Sequence, residues 1–387
     1  MNCAAPCFYD VVVAGGGIVG AACALACAQS GLRTALVERE FPGCGATAAG
    51  MGHIVVMDDS EAQFALTRRS QQLWHGMSAS LPTSAEFEAR GTIWVAADEE
   101  EMAEAARKHA FLQDRGVPSE LLSARELAMH EPNLRHGLAG GLLVPEDAVV
   151  FPPVVARHLV GQLRSYDADV IQSRAVLHLK DGEVILDDGT QLRAPRLVNA
   201  MGADAAACTP GIPVRKRKGH LAITDRYLGF AHHQLVELGY LKSAHSTTTD
   251  SVAFNVQPRQ TGQILIGSSR QYGNEDSAVN QEILSAMLNR AEHYMPAIGS
   301  LSVIRVWAGF RAATPDKLPL IGPVPGDSTL WLATGHEGLG ITTALATAEL
   351  LIAAFTQKTP SIPLEPYLPA RFESQSSIET ELHQEIS

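Results

Sequence analysis

The sequence predicts a fold that is α/β in one part and α+β in another, with a Rossmann-like βαβ domain joined to a discontinuous, mainly antiparallel second domain. Three observations predict it. A glycine-rich turn separates a β-branched strand from a small-residue helix near the N-terminus. Short strands dominate residues 214–310. A strand, a glycine loop and a helix then close the chain, as if the last segment returned to the first sheet.

The first element is a βαβ unit over residues 10–40, DVVVAGGGIVGAACALACAQSGLRTALVERE. Its three consecutive valines, 11–13, are typical of a buried parallel strand. A helix is predicted from about Ile18 to Ser30, and TALVE is the second strand. Cys23 and Cys27 are four residues apart in this helix, which indicates packing.

The turn of this unit carries the spacing GxGxxG between strand and helix. The first glycine allows the tight turn, the second lets a pyrophosphate approach the backbone, and the third allows close helix–strand packing. Glu38 ends the second strand, where its carboxylate can accept hydrogen bonds from a ribose. The motif predicts dinucleotide binding and by itself does not separate NAD from FAD. The predicted contacts are Gly15, Gly17, Ile18, Val19, Gly20, Glu38 and Arg39.

The middle of the chain alternates helices, strands and turns. Asp58, Asp59 and Ser60 offer N-caps for a helix to about Ala79. Residues 118–146 are mixed and rich in turns, and Asp-Gly pairs at 181–182 and 188–189 predict hairpins. The other predicted helices are 98–116, 151–165 and about Asn280–Tyr294, and the other predicted strands are 90–96, 221–224, 251–257, 263–269, 301–310 and 330–334.

Composition excludes some classes of protein. Lys plus Arg total 30 against 42 for Asp plus Glu, so the net charge of −12 argues against a nucleic-acid partner. The basic run at residues 215–218 is interpreted as a solvated loop or strand edge. The six cysteines show neither zinc spacing nor a disulfide framework, so no metal site is expected. We expect a cytoplasmic protein, with peripheral membrane association left open.

Four blocks, in this order, resemble the FAD-dependent amine and amino-acid oxidoreductases, the family of D-amino acid oxidase, glycine oxidase and sarcosine oxidase. They are VVVAGGGIVG with Glu38, ATAAGMGH, LVNAMGADA, and AGFRAATPDKLPLIG followed by LATGHEGLGIT. The resemblance runs from about Tyr9 to Tyr367. It implies an FAD-binding domain at 8–82, 147–209 and 306–372, a substrate-binding domain at 83–146 and 210–305, and a flexible tail at 373–387.

The resemblance also implies further cofactor contacts. Small residues after the βαβ unit wrap the flavin, a second segment passes the pyrophosphate, and the late loop GHEGLG lies against the ring. The helix that follows this loop points its positive dipole end at the flavin. The implied residues are Ala46, Thr47, Ala49, Gly50, Met51, Gly52, Ala200, Gly202, Gly335, His336, Gly338, Leu339, Gly340 and Ile341.

Arg311 is the candidate substrate residue. The chain is expected to leave an apolar strand at Phe310 and carry Arg311 into a stiff, proline-broken loop. Residue chemistry alone leaves two roles open, a structural ion pair with Asp316 or a forked pair of hydrogen bonds to a substrate carboxylate. The resemblance favours the carboxylate.

Three further residues are catalytic-site candidates. Glu337 can pair with a substrate ammonium group or be a solvated loop carboxylate, and both roles stay open. His53 and Met51 follow the flavin-wrapping segment and face the substrate side in this prediction. A hydroxylated substrate would need polar groups on the pocket wall, for which Asn255, Gln257, His336 and Glu337 are candidates by position.

Differences from the family pattern narrow the predicted flavin linkage and the predicted subgroup of the family. Ala312 and Ala313 stand where sarcosine-oxidase-type members carry a flavin-tethering cysteine, so FAD is expected to be non-covalent. The late loop has no second arginine, unlike glycine oxidase. It most resembles D-hydroxyproline dehydrogenases and the catalytic subunits of opine oxidase and hydrogen cyanide synthase.

The implied activity is FAD-dependent oxidation of the C–N bond of a free or secondary amino acid, with hydride moving from Cα to flavin N5. D-hydroxyproline or another D-amino acid is the substrate expected first, and glycine, sarcosine or an opine are the alternatives. The partners are this substrate and an electron acceptor, which can be oxygen, a quinone or a partner subunit of a hetero-oligomeric dehydrogenase. A third possibility is a nucleotide-sensing or structural module that binds FAD and oxidises no amino acid.

Overall fold

A computed structural model describes residues 7–239 and 250–372. The predicted tail, 373–387, lies outside the described residues. The strands are β1 (Cys7–Phe8), β2 (Val11–Ala14), β3 (Thr34–Glu38), β4 (His53–Ile54), β5 (Thr92–Ala96), β6 (Glu120–Ser123), β7 (Gly140–Val144), β8 (Ala148–Val149), β9 (Ala168–Gln172), β10 (Val176–Lys180), β11 (Glu183–Leu186), β12 (Gln191–Arg193), β13 (Leu197–Asn199), β14 (Arg215–Arg226), β15 (Gln234–Glu237), β16 (Ser251–Pro258), β17 (Gln263–Arg270), β18 (Val303–Ala313), β19 (Leu320–Val324) and β20 (Asp327–Thr334).

The α-helices are fewer and lie mainly against the sheets. They are α1 (Ile18–Gln29), α2 (Ala46–Ala49), α3 (Glu61–Met77), α4 (Glu99–Asp114), α5 (Ala124–His130), α6 (Pro152–Gln162), α7 (Ala205–Cys208), α8 (Gln281–Tyr294) and α9 (Gly340–Phe355). Among the described residues, no helix is both long and apolar enough to cross a membrane.

A six-stranded sheet has the order β19-β20-β13-β2-β3-β9. All of its neighbouring strands are parallel except the pair β19 and β20. Alternate side chains of β2 enter two cores, as the twofold period of a strand requires. Val11 and Val13 pack with helices α1, α6 and α9, whereas Val12 and Ala14 pack against strands β10–β12. Burial on both faces explains why this strand reads as an unbroken apolar run.

An eight-stranded sheet has the order β18-β14-β17-β16-β15-β5-β7-β6. One face packs on α8, with Phe254 and Val256 of β16 in that core. The opposite face meets the segment after α2, because Met51 packs with Leu221 of β14 and Leu265 of β17. Residues from the segment after the nucleotide-type unit therefore cover one face of the second sheet.

Most predicted elements are confirmed. The mixed fold is present, α1 begins at Ile18, the helix after residue 60 is capped by Ser60, and the two Asp-Gly pairs lie in the β10–β11 and β11–β12 hairpins. Cys23 and Cys27 are buried in α1, as expected for packing residues. The turn-rich interpretation of 118–146 missed β6, α5 and β7. The short apolar runs of the two strands become strands only by pairing, β7 with β5 and β6 with β7.

Two predictions about the second sheet are wrong. β18 does not end at Phe310 but continues through Ala313, so Arg311 lies in a strand. The basic run at 215–218 is not a solvated loop, because it opens β14 and pairs with β18 along its length, and only its first half is accessible. Arg217 and Lys218 are 4% and 1% exposed. The boundary expected at residue 306 also cuts through β18, and the division into domains stays a prediction.

Candidate active site

The glycine turn between β2 and α1 is packed too tightly for side chains. A Cβ at Gly15, where φ is +107°, would lie 2.5 Å from the Ala200 carbonyl oxygen. A Cβ at Gly20 would lie 1.9 Å from the carbonyl oxygen of Gly15. Gly17 caps α1 without a side-chain hydrogen bond to the helix, which leaves the first-turn N–H groups to other acceptors.

Polar side chains complete this turn. The Gly16 N–H donates to Glu38 Oε2 at 2.7 Å, and the Glu40 N–H donates to Glu38 Oε1 at 2.9 Å. The Ile18 N–H donates to Thr47 Oγ1 at 3.0 Å. Glu38 is only 5% exposed, and two backbone donors hold its carboxylate at the end of β3. A carboxylate has about four acceptor sites, so Glu38 can still accept from ribose hydroxyls.

The remaining predicted contacts surround this turn. Arg39 is exposed and forms a 2.9 Å ion pair with Asp204. The Ala200 N–H donates to the Ala14 carbonyl oxygen at 2.8 Å, which ends β13 directly beside the turn. The Gly202 carbonyl oxygen accepts from Thr334 Oγ1 at 2.9 Å. The glycine turn, the buried carboxylate and the uncapped helix together fit the ADP part of a dinucleotide.

The small-residue segment that includes α2 (Ala46–Ala49) lies between β18 of the eight-stranded sheet and the N-terminus of α9. A Cβ at Gly309 of β18 would lie 2.4 Å from Ala49 Cβ, and Trp307 Nε1 donates to the Ala49 carbonyl oxygen at 3.3 Å. A Cβ at Gly50 would lie 2.7 Å from Ile341 Cδ1 of α9. Only small residues allow this approach, which explains the composition ATAAG.

The turn after this segment is equally constrained. Gly52 has a φ of +99°, and a Cβ there would lie 2.0 Å from the Val150 carbonyl oxygen. Met51 is 8% exposed, and its Sδ lies 3.1 Å from the position of a Cβ at Gly267. Met51 therefore covers a side-chain-free position of the eight-stranded sheet.

The late loop, residues 335–340, leads into the N-terminus of α9. Gly335 and Glu337 both have positive φ, +76° and +54°, and the Glu337 N–H donates to the Ala312 carbonyl oxygen of β18 at 2.8 Å. Leu339 caps α9 without a side-chain hydrogen bond. Val19 of α1 borders this terminus, since its Cγ2 is 3.8 Å from the position of a Cβ at Gly340.

His336 points away from the loop. Its Nε2 lies 3.0 Å from Thr347 Oγ1 of α9, and burial lowers the pKa of His336 to about 3. The ring is therefore neutral and bound to the helix. Its side chain does not form the substrate wall for which it was a candidate, so any cofactor contact by this residue would come from its backbone.

Arg311 projects from β18 over a glycine of the neighbouring strand. A Cβ at Gly219 of β14 would lie 2.3 Å from Arg311 Nη1, and Nη1 donates to the Ser269 carbonyl oxygen of β17 at 2.9 Å. Gly338 of the late loop lies on the other side, with its hypothetical Cβ 3.5 Å from Arg311 Nε. Asp316, the carboxylate considered as a structural partner, binds Arg371 at 2.7 Å. The guanidinium is thus placed between the sheet and the late loop.

Arg217 is the cross-strand partner of Arg311, so both side chains leave the same face of the sheet. It forms an ion pair with Glu337, and its Nη1 donates to Tyr272 Oη at 2.8 Å. The Glu337 side chain is 10% exposed, which excludes the solvated-loop alternative for this residue. The pair ties the late loop to β14 beside Arg311.

His53 lies in β4, two residues after Met51, and its carbonyl oxygen accepts from Thr342 Oγ1 of α9 at 2.8 Å. Burial lowers the pKa of His53 to about 4, an effect that the neighbouring Gln257 amide opposes in part. The imidazole is therefore neutral at physiological pH. Arg311 lies beside the late loop that carries Glu337, while Met51 and His53 lie against the face of the eight-stranded sheet that carries Arg311.

Sequence reasoning missed three residues that shape this site: Arg217, Gly219 and Ser269. The signal available was the basic run RKRK at 215–218, which is followed by Gly219 and then by a stretch too apolar for a surface loop. Its importance follows from register with β18, and register depends on long-range pairing that local sequence does not show.

Comparisons with known proteins agree with the fold and with the glycine turn. The family model described as FAD dependent oxidoreductase (DAO) matches residues 10–354. Glycine oxidase from Pseudomonas aeruginosa is 27% identical over 93% of this chain and 98% of that protein. Hydrogen cyanide synthase subunit HcnC from the same organism is 27% identical over 95% of this chain and 97% of that protein.

Solved structures of similar proteins share the fold of this chain. Glycine oxidase from Geobacillus kaustophilus superposes with a TM-score of 0.84 and 26% identity, covering 94% of this chain and 99% of that one. L-proline dehydrogenase from P. horikoshii also reaches 0.84, at 24% identity over 96% of this chain and 99% of that one, which shows a shared fold.

Proposed function

The chain belongs to the FAD-dependent oxidoreductase (DAO) family, whose members act on C–N amine donors, and on that premise we propose that it oxidises the Cα–N bond of an amino acid held by Arg311. The observation that carries the proposal is the position of the Arg311 guanidinium over Gly219 and beside Gly338. Its planar fork suits a carboxylate, which it can bind by two parallel charge-assisted hydrogen bonds.

FAD, when bound, supplies the hydride acceptor for the substrate Cα–H, and the amine lone pair forms the C=N bond of an imine. Glu38, the glycine turn and Thr47 would hold the ADP part, and residues 46–52 with the late loop would hold the ring. Ala312 and Ala313 follow Arg311 in β18, so non-covalent attachment stays our proposal.

Positioning is the main contribution of the protein to such a reaction. Fixing the carboxylate fixes Cα, and correct placement of reacting atoms lowers a barrier without any acid–base step. The Ser269 carbonyl oxygen and Gly219 define where the guanidinium lies, while Met51, Leu221 and Trp307 exclude water on the sheet side. We assign Glu337 to the substrate amino group, with Arg217 orienting its carboxylate.

The substrate class follows from the need for a carboxylate. We favour D-hydroxyproline or another D-amino acid because of the GHEGLG loop, and glycine, sarcosine and opines remain the alternatives. Similarity to a hydrogen cyanide synthase subunit favours one second candidate, a flavoprotein subunit that passes electrons to a partner chain. An oxidase would produce peroxide with free substrate, whereas a subunit would turn over well only with a dye acceptor.

Anaerobic bleaching of the flavin tests the proposal. The purified holoprotein is mixed with D-amino acids, prolines, glycine, sarcosine and opines, and its visible absorbance is compared with a chemically reduced sample. We expect at least one carboxylated amine to reduce the flavin fully. Stable FAD binding with no bleaching by any of these compounds would contradict the proposal and leave a FAD-binding module.

A further inference from the structure

A row of uncharged polar side chains lies on the face of the eight-stranded sheet that carries Arg311. Asn255 and Gln257 are two residues apart in β16, so they leave the same face of the strand. The residues between and before them, Phe254 and Val256, are buried in the core of the opposite face. Gln257 also pairs with Leu265, which packs against Met51.

Polar atoms of these side chains and of His53 are buried without a well-formed hydrogen bond among the described residues, although Asn255 and His53 are only half-buried as whole residues and the Gln257 amide is a neighbour of the His53 ring. Gln257 is 0% exposed, yet neither its Oε1 nor its Nε2 meets hydrogen-bond geometry with another described atom. The same holds for Asn255 Oδ1 and for His53 Nε2. A buried polar group without a partner destabilises the folded state, so several in one place call for a functional explanation.

The row begins close to the guanidinium. Arg311 Nη1 contacts the Ser269 carbonyl oxygen, and Ser269 is two residues from Gly267 in β17. Gly267 pairs directly with Asn255, and Met51 Sδ covers the same position. The row therefore begins on the strand next to β17, near the point where β17 contacts the Arg311 guanidinium.

The functional groups of Asn255, Gln257 and the adjacent His53 determine which substrate group they can bind. Asn255 and Gln257 carry amides, and His53 is held neutral by burial. Amides and a neutral imidazole both donate and accept hydrogen bonds, whereas they offer no charge to balance a second carboxylate or an ammonium group. A hydroxyl or carboxamide group matches these partners.

We propose that Asn255, Gln257 and His53 form a subsite for an uncharged hydrogen-bonding group, a hydroxyl or carboxamide, on the side chain of the substrate. The proposal rests on the proposed function, because it takes Arg311 as the carboxylate site. The substrate class is then a polar, uncharged amino acid rather than glycine, sarcosine or a dicarboxylate opine.

The test compares the wild type with Gln257→Met on two matched pairs, D-proline with cis-4-hydroxy-D-proline and D-alanine with D-serine. The wild type should favour the hydroxylated member of at least one pair in kcat/KM for anaerobic flavin reduction. The variant should lose that preference by about tenfold or more, because buried amide partners discriminate by hydrogen bonding. An unchanged preference, or none in the wild type, would overturn the subsite. If no member of either pair reduces the wild-type flavin, the proposed function fails for this class.

Thermal unfolding gives a readout that is independent of activity. Removing a fully buried amide that lacks a well-formed hydrogen bond should raise the unfolding temperature of Gln257→Met without substrate. The matched control is Gln71→Met, because Gln71 is equally buried but donates to Asp147 and accepts from Arg68. We expect the control to unfold at a lower temperature than wild type. A comparable decrease in the unfolding temperature of Gln257→Met would show that its amide is structural and would overturn the proposal.

Discussion

The Arg311 guanidinium can occupy its position only because residue 219 is a glycine and has no side chain. The guanidinium occupies the space that a Cβ at Gly219 would need, at 2.3 Å from Nη1 and 2.8 Å from Cζ. A flexible side chain can move away from such a clash without disturbing the strands. The effect of a substitution should therefore fall on the substrate carboxylate and not on the fold.

Gly219→Ala tests this dependence. We expect KM for a carboxylated substrate to rise by about 10- to 100-fold, because displacing one charge-assisted pair costs about 1.5–3 kcal/mol. The unfolding temperature should change little. Gly161→Ala in α6 is the control, since a Cβ there meets nothing within 4 Å. An unchanged KM in Gly219→Ala would mean that Arg311 does not hold the carboxylate from this position.

Single residues could be predicted where local chemistry dictates them. The spacing of Gly15, Gly17 and Gly20 and the acid at Glu38 follow from the demands of a phosphate turn, and the structure has them in contact. The partners of Arg311 could not be predicted, because Gly219 and Ser269 reach it only through strand pairing across 92 and 42 residues. Arg217 was misassigned for the same reason.

At the level of elements, β14 and the late loop build the substrate side together. The loop is attached to β18 by the Glu337 N–H, to β14 by the Arg217–Glu337 pair, and to α9 by His336. The strand, loop and helix were each predicted from turn and capping signals. Their mutual attachment was not, since it depends on side chains whose neighbours are distant in sequence.

The attachment of His336 to α9 makes the stability of this loop depend on pH. Its folded pKa is about 3, below the ordinary value of 6.5, so the unfolded state binds more protons between these values. The free energy of unfolding should then fall as the pH drops below about 6.5, by about 1.4 kcal/mol per pH unit from this residue. His336→Gln should lack this contribution.

Denaturant unfolding of wild type and His336→Gln between pH 7 and 5 measures the contribution of His336 to the free energy of unfolding. The wild type should lose stability relative to the variant as the pH falls. Burial lowers the pKa of His53 to about 4 and raises that of Asp147 to about 7, which act in opposite directions, but both are common to the two proteins. A difference that stays constant with pH would show that His336 is not held neutral.

At the scale of the whole molecule, the order of predicted elements was enough to obtain a nucleotide-type sheet assembled from distant segments and a second, mainly antiparallel sheet. Hydrophobic period and turn residues carry that information locally. The eight-stranded order was not predictable, because strands such as β5, β7 and β15 join it only through pairings between remote segments. The site lies where the two sheets meet, so its geometry belongs to this unpredicted part.

We expect Arg311 to select substrates by their carboxylate. The most direct measurement compares Arg311→Met with wild type on a carboxylated amine and on the matched amine without the carboxylate, using kcat/KM for anaerobic flavin reduction. The exposed Arg226 at the end of β14 supplies the control, Arg226→Met. We predict that wild type and control prefer the carboxylated amine and that Arg311→Met loses this preference by about 100-fold or more. A preference that survives in Arg311→Met would show that Arg311 does not bind the substrate carboxylate.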